Sequence, residues 1–219
     1  MIRGAIFDMD GTLLDTMPFW DNAGEIYLKG LNVQAEPSLG KKLFSMTMEQ
    51  AAEYLKHTYS LSFTTEEIIE GINGTVRGFY QKRAVLKANV PEFLKQLAER
   101  NVKLVLATVT ERKLAEAALS RCGILNYFDF VITDAEAGAG KDRPDIYLKA
   151  AEKIGTVPRE TLVFEDALYA VKTAKAAGFC TVGVYDEVSR DDQQKLQSIC
   201  DYYIRNFRDF DSFAAKFLE

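Results

Sequence analysis

The chain opens on a short, largely apolar run, Ile2 to Phe7, that stops at a cluster of Asp, Gly and Thr. Apolar residues at successive rather than alternate positions predict a strand buried on both faces that runs into a functional loop. From about Pro18 to Arg83 no comparable run occurs, and the periodicity is helical. Thr47-Met48-Glu49-Gln50 and Thr64-Thr65-Glu66-Glu67 both fit the capping box, in which a hydroxyl and a carboxylate or amide three residues on satisfy free helix N–H groups. From about Val90 helix and strand patterns alternate. Helical patterns cover Glu92 to Arg100, Glu111 to Arg121, Asp145 to Ile154 and Leu168 to Ala177, the last two closed by Gly155 and Gly178. Strand patterns cover Val102 to Ala107, Phe130 to Thr133, Thr161 to Phe164 and Cys180 to Val184. Such alternation predicts right-handed βαβ units and an α/β fold, a parallel sheet with helices on both faces. The expected organisation is a core formed by residues 1–16 and 84–219, with an all-helical insertion over residues 17–83.

The length of 219 residues fits this division, being more than the ~150 of one ordinary domain. With 47% hydrophobic and 27% charged residues, the composition excludes collagen-like and disordered chains. Cys122, Cys180 and Cys200 are odd in number and form no CxxC pair, which argues against a disulfide framework or a zinc knuckle; buried positions are expected for them. A net charge of −5 without a dense Lys/Arg cluster disfavours nucleic acid as a partner. No apolar stretch approaches the roughly 18 to 20 residues of a membrane span. Asp8 and Asp10 interrupt the region a signal peptide would need continuous, so a cytoplasmic protein is expected, as a monomer or weak homodimer.

The chemistry concentrates at strand ends. Asp8-Met9-Asp10-Gly11-Thr12 directly follows the first strand, and in open α/β sheets ligands bind outside the carboxyl ends of the strands. Strand alternation turns Asp8 and Asp10 toward one site and Met9 toward the core. Two crowded carboxylates repel unless a cation lies between them, and hard oxygen ligands suit Mg²⁺. A solvated turn is the plainer reading of the same residues. Thr108-Val109-Thr110 ends another strand with a hydroxyl and backbone N–H groups suited to an anion, although Thr110 could simply cap the next helix. Glu165-Asp166 ends a third strand and offers a second acidic pair to complete a metal site. Gly138-Ala139-Gly140 leads into Lys141, which in isolation would be a surface charge.

Taken together, these motifs resemble the haloacid dehalogenase-like hydrolase superfamily, in the branch with a helical cap inserted after the first strand, which contains phosphoglycolate phosphatases and β-phosphoglucomutases. The resemblance covers essentially the whole chain. The first motif stands as Asp8 to Thr12, the second as Thr108, the third as Lys141, the fourth as Glu165-Asp166. Leu13 to Thr16 and Lys141 to Leu148 also look like the stretches that follow the first and third motifs. The resemblance implies a Rossmann-like core and phosphoryl transfer through an aspartyl-phosphate on a small phosphorylated metabolite. Asp8 would be the nucleophile and Asp10 the general acid and base. Mg²⁺ would be held by Asp8, the Asp10 carbonyl and Asp166, with Glu165 as a further ligand or support. Thr108, Lys141 and the backbone N–H groups of Met9, Asp10 and Val109 would hold the phosphoryl oxygens. Because the first cap helix faces the site in this branch, Trp20 becomes a candidate for substrate contact; hydrophobic packing is the alternative.

Within the superfamily, Asp10 favours phosphate esters over dehalogenation, since only the former leave an alkoxide to protonate. The phosphomutases place an arginine in a cap loop and a Lys-Asn pair after the second motif; here those loops read Ser45-Met46-Thr47-Met48-Glu49 and Thr108 to Lys113. A hydrolase is therefore expected, with a β-phosphoglucomutase-like phosphomutase as the alternative, whose anchor could come from Lys41, Lys42 or Arg77. His57, the single histidine, is expected at a surface or helix end, and Arg143 either near an anionic substrate or in solvent.

Overall fold

A computed structural model describes residues 1–43 and 46–218. Six parallel strands form one sheet: β1 (Gly4–Phe7), β2 (Lys103–Thr108), β3 (Phe130–Thr133), β4 (Thr161–Glu165), β5 (Cys180–Val184) and β6 (Tyr202–Ile204). Their spatial order is β3-β2-β1-β4-β5-β6. The chain therefore winds outward from β1 in one direction and then resumes on its other side. That reversal leaves a crevice at the carboxyl ends of β1 and β4, the place where open α/β sheets bind ligands.

The central strands are buried on both faces. Ile6, Val105, Ala107, Ile132 and Val163 pack with Ile146, Tyr147, Ala150, Ala151, Ala174 and Phe179. Their strand neighbours Phe7 and Phe164 point the other way, as the two-residue repeat requires, and stack with ring centroids 4.2 Å apart. On that face Phe93, from helix Val90–Glu99, meets Phe164, Phe207, Phe210 and Phe213 edge-on or tilted, at 5.0 to 5.8 Å. Aromatic edges against faces add to the burial of their large areas.

Residues 16–83 cluster as one compact unit and the remainder as another. Within the helical unit both capping boxes are made. Thr47 Oγ1 accepts from the Gln50 N–H at 3.2 Å and Gln50 Oε1 from the Thr47 N–H at 2.9 Å; Thr64 and Glu67 repeat the exchange at 3.2 and 2.8 Å. These start helices Met48–Thr58 and Thr65–Lys82. Phe19 stacks on Phe79 at 3.9 Å, and Trp20 Nε1 donates to the Tyr80 hydroxyl at 2.9 Å. The chain passes between the units at 15/16 and 83/84, and on the core side the two passages are joined: Asp15 N–H donates to Val85 O and Lys87 N–H to Leu13 O, both at 2.9 Å.

The structure departs from the sequence pattern in several places. β2 begins and ends one residue later than the apolar run, which takes Thr108 into the strand opposite Thr133. The cysteines are half-buried rather than buried, because each stands at the end of an element: Cys122 and Cys200 close helices and Cys180 opens β5. The segment after β5 folds into helix Gln193–Ile199, strand β6 and helix Phe210–Phe217, elements of three to eight residues that are too short to show a period. No helix among the described residues is long and apolar enough to cross a membrane.

Phe93 touches four aromatic rings across this face and is almost fully buried. Replacing it with alanine is expected to cost about 3–5 kcal/mol of stability, read as a lower midpoint in urea unfolding at unchanged slope.

Candidate active site

The strand register sets the site. Phe7 pairs with Phe164, so Asp8 and Glu165 follow at the same level on neighbouring strands, and Asp8 N–H donates to Phe164 O at 3.0 Å. After Asp10 the chain must turn at once. Gly11 does so at φ +80°, a conformation that a side chain would strain. Its N–H bonds to Leu14 O, while Leu13 and Leu14 donate to Met9 O at 2.9 Å, closing a tight loop over the end of β1. Met9 is wholly buried and Asp10 half-buried, so the two neighbours do face different surroundings.

Asp8, Glu165 and Asp166 each offer a carboxylate oxygen within 4.8 Å of the others, and all three are buried. Lys141 reaches into the group, 4% exposed, with its ammonium on Asp8 Oδ1 and on Glu165 Oε1 at 2.7 Å. Glu165 Oε1 also accepts from the buried Tyr147 hydroxyl at 2.8 Å. Thr12 Oγ1 lies 3.5 Å from Asp166 Oδ1. Three carboxylates against one ammonium leave two negative charges withdrawn from water, a costly excess. Burial pushes the Glu165 carboxyl up to about 7, with Lys141 opposing and Asp8 adding to the rise. Asp166 is raised as well, by burial first and then by Asp8 and Glu165. For Lys141 burial works against the charge, but the two carboxylates outweigh it and hold the ammonium above its ordinary range.

Asp8 Oδ2 is buried and has no hydrogen-bond partner among the described residues. An acceptor left bare in a net-negative, all-oxygen cluster fits a hard divalent cation, which would supply the missing partner and cancel the excess charge together. Glu165 differs from its neighbours in that one of its oxygens is already shared by Lys141 and Tyr147, so it also holds the lysine in place.

On the other side of β1, the buried Thr108 Oγ1 accepts from the Thr110 N–H at 3.0 Å. Thr110 Oγ1 in turn donates to Asp10 Oδ2 at 2.7 Å. The cap reading of Thr110 is corrected by this geometry: helix Arg112–Arg121 is preceded by Glu111 at its cap position, with no side-chain capping bond. Val109, between the two threonines, is 53% exposed.

The sequence signature of the haloacid dehalogenase-like hydrolases matches residues 5–184, most of the chain. The chain belongs to that family. Among curated proteins, this haloacid dehalogenase-like hydrolase is 27% identical over 177 residues to a phosphorylated carbohydrates phosphatase of Thermotoga maritima, covering 81% of this chain and 82% of that one. It is 28% identical over 181 residues to a fructose-1-phosphate phosphatase of Escherichia coli, covering 83% and 95%. Its fold matches a Thermotoga maritima structure assigned as a beta-phosphoglucomutase with a TM-score of 0.86, over 98% of this chain and 99% of that one at 24% identity; at that identity the likeness is one of fold.

The family member's core brings Asp8, Lys141, Glu165 and Asp166 into one cluster, with Asp10, Thr108 and Thr110 linked beside β1. Trp20, 36% exposed, belongs to the helical unit, where it bonds to Tyr80. His57 lies on the surface 3.1 Å from Glu53, and Arg143 pairs with Asp145. Sequence reasoning missed Tyr147, whose only signal was its place on the helix after Lys141. It also missed the pair of Lys87 Nζ and Asp186 Oδ2 at 2.9 Å, 99 residues apart in sequence, which raised no local pattern at all.

If the excess negative charge is what the cluster presents, millimolar Mg²⁺ should raise the melting temperature of the wild-type protein and a chelator should reverse the rise. Asp166→Asn, which removes one of the charges, should show a clearly smaller rise in the same scan. An equal rise in both would place the ion elsewhere.

Proposed function

We propose that the chain is a Mg²⁺-dependent phosphatase that hydrolyses a small phosphomonoester, a sugar phosphate or related metabolite, through an aspartyl-phosphate on Asp8. The observation that carries the reading is Asp8 itself: one oxygen is held by Lys141, the other is bare, and a second carboxylate stands two residues on, bonded to a threonine and half-exposed. Phosphatases of phosphorylated sugars among the relatives support the substrate class.

In the first half-reaction an Asp8 oxygen attacks phosphorus in line, forming the O–P bond while the bond to the alcohol breaks, and Asp10 protonates the departing alkoxide. In the second, Asp10 takes a proton from water, whose oxygen attacks phosphorus and releases Asp8 and inorganic phosphate. Lys141 steadies the equatorial oxygens as a point charge, held there by Glu165, and Thr108 and the N–H groups of Met9, Asp10 and Val109 donate to the same oxygens. Asp8, Asp166 and the Asp10 carbonyl would hold Mg²⁺, with Glu165 beside them, and the ion would supply neutralisation of the charge on the transferring group.

A phosphomutase would need a cationic anchor for a second phosphate. Ser45 in the loop weighed for it lies outside the described residues, Met46 and Met48 in that loop are uncharged, and two of the three alternative cations are engaged: Lys42 with Glu36 at 2.6 Å and Arg77 with Glu70. Hydrolysis is the better-supported outcome.

The test is phosphate release from a panel of sugar phosphates and other phosphomonoesters, with and without Mg²⁺. Release that needs Mg²⁺ and no bisphosphate activator is expected. Asp8→Asn should abolish it, Asp10→Asn should slow it by about 10²- to 10⁴-fold, and Lys141→Ala should do more harm than Lys113→Ala. Bisphosphate-dependent isomerisation faster than release would establish the mutase, and turnover of Asp8→Asn within tenfold of wild type would remove Asp8 as nucleophile.

A further inference from the structure

One residue bridges the two polar groups that flank Asp8 on the β2 side. Thr110 is 7% exposed, donates its hydroxyl proton to Asp10 Oδ2 at 2.7 Å and its main-chain N–H to Thr108 Oγ1 at 3.0 Å. Both bonds have chemical consequences. A half-exposed carboxylate three residues past the end of a strand, just before the turn at Gly11, is held toward one orientation by a donor at this distance. A threonine hydroxyl has one proton. When its oxygen accepts from the Thr110 N–H, that proton is directed away from the loop and remains available to an anion. The following helix takes no side-chain cap: its N-cap residue is Glu111.

We propose that Thr110 is a positioning residue of the reaction, fixing the Asp10 carboxyl for proton transfer to the leaving group and from water, while its backbone sets the Thr108 hydroxyl toward the phosphoryl group. The proposal rests on the assignment of Asp10 as general acid and base. The step it serves is balanced: the ester P–O bond breaks, the Asp8–P bond forms, and the proton on Asp10 passes to the alkoxide. Misplacing Asp10 slows that step only as far as the leaving group needs the proton.

The leaving group therefore supplies the test. For Thr110→Val, an isosteric loss of the hydroxyl, kcat/KM is measured on p-nitrophenyl phosphate, whose phenolate departs without a proton, and on the best alkyl phosphate of the substrate panel. The expected loss is on the order of 10- to 10²-fold for the alkyl ester, part of what a positioned acid contributes, and no more than about threefold for the aryl ester. Thr110→Ser, which keeps the donor, should restore the alkyl rate. Equal losses on both esters, or a serine variant as impaired as the valine one, would overturn the proposal and leave Thr110 a packing residue. Should the valine variant not fold, Thr110→Ala answers the same comparison. Asp10→Asn run in parallel separates the two levels: without leaving-group dependence in that variant the role of Asp10 fails, whereas dependence there and none in Thr110→Val fails this inference alone.

Discussion

An ammonium group almost wholly removed from water is the constraint around which this core is arranged. Lys141 cannot remain charged at 4% exposure unless carboxylates surround it, and Asp8 and Glu165 do so from two adjacent strands. Its charge in turn opposes the rise that burial imposes on the Glu165 carboxyl. Yet the lysine balances only one of the three acids gathered there, and the remainder is what equips the site for a divalent ion and a phosphate ester. The residues that hold this arrangement reach back into the core: Tyr147, on Glu165, belongs to the same packed cluster as Ile6 and Val163. Electrostatics at the sheet edge and packing beneath it are thus parts of one construction.

The sheet makes that arrangement possible without long-range coordination of loops. Because β1 lies between β2 and β4 in parallel register, the residues at the carboxyl ends of the three strands arrive at one edge. Asp8 and Glu165 are neighbours by pairing alone. Thr108 is brought alongside in the same way, and only Lys141 must be delivered from a connection.

Much of this was legible in the sequence, for identifiable reasons. Strands buried on both faces write themselves as apolar runs, so β1 to β5 could be read directly, and so could the acidic and hydroxyl residues that end them. Both capping boxes are local and were readable for that reason. The segment after β5 was not, since a three-residue edge strand and two short helices carry no period. Nor were contacts between residues distant in the chain: the Tyr147–Glu165 bond, the Lys87–Asp186 pair and the turn of Thr110 toward Asp10 depend on how elements pack. Thr110 shows the limit well. Its position before a helix suggested capping, but Glu111 takes the cap position, and the Thr110 hydroxyl donates to Asp10, a hundred residues away in the chain.

The backbone bonds that join Leu13 and Asp15 to Lys87 and Val85 have a further consequence. With the outgoing and returning chains laced together at the core's surface, the intervening residues form, from the standpoint of the sheet, a single closed loop whose ends are already fixed. The entropy of closing such a loop grows only with the logarithm of its length. The sheet can therefore accept a longer, shorter or differently folded insertion at this point at little cost to its own stability. That makes the position a natural socket for interchangeable modules.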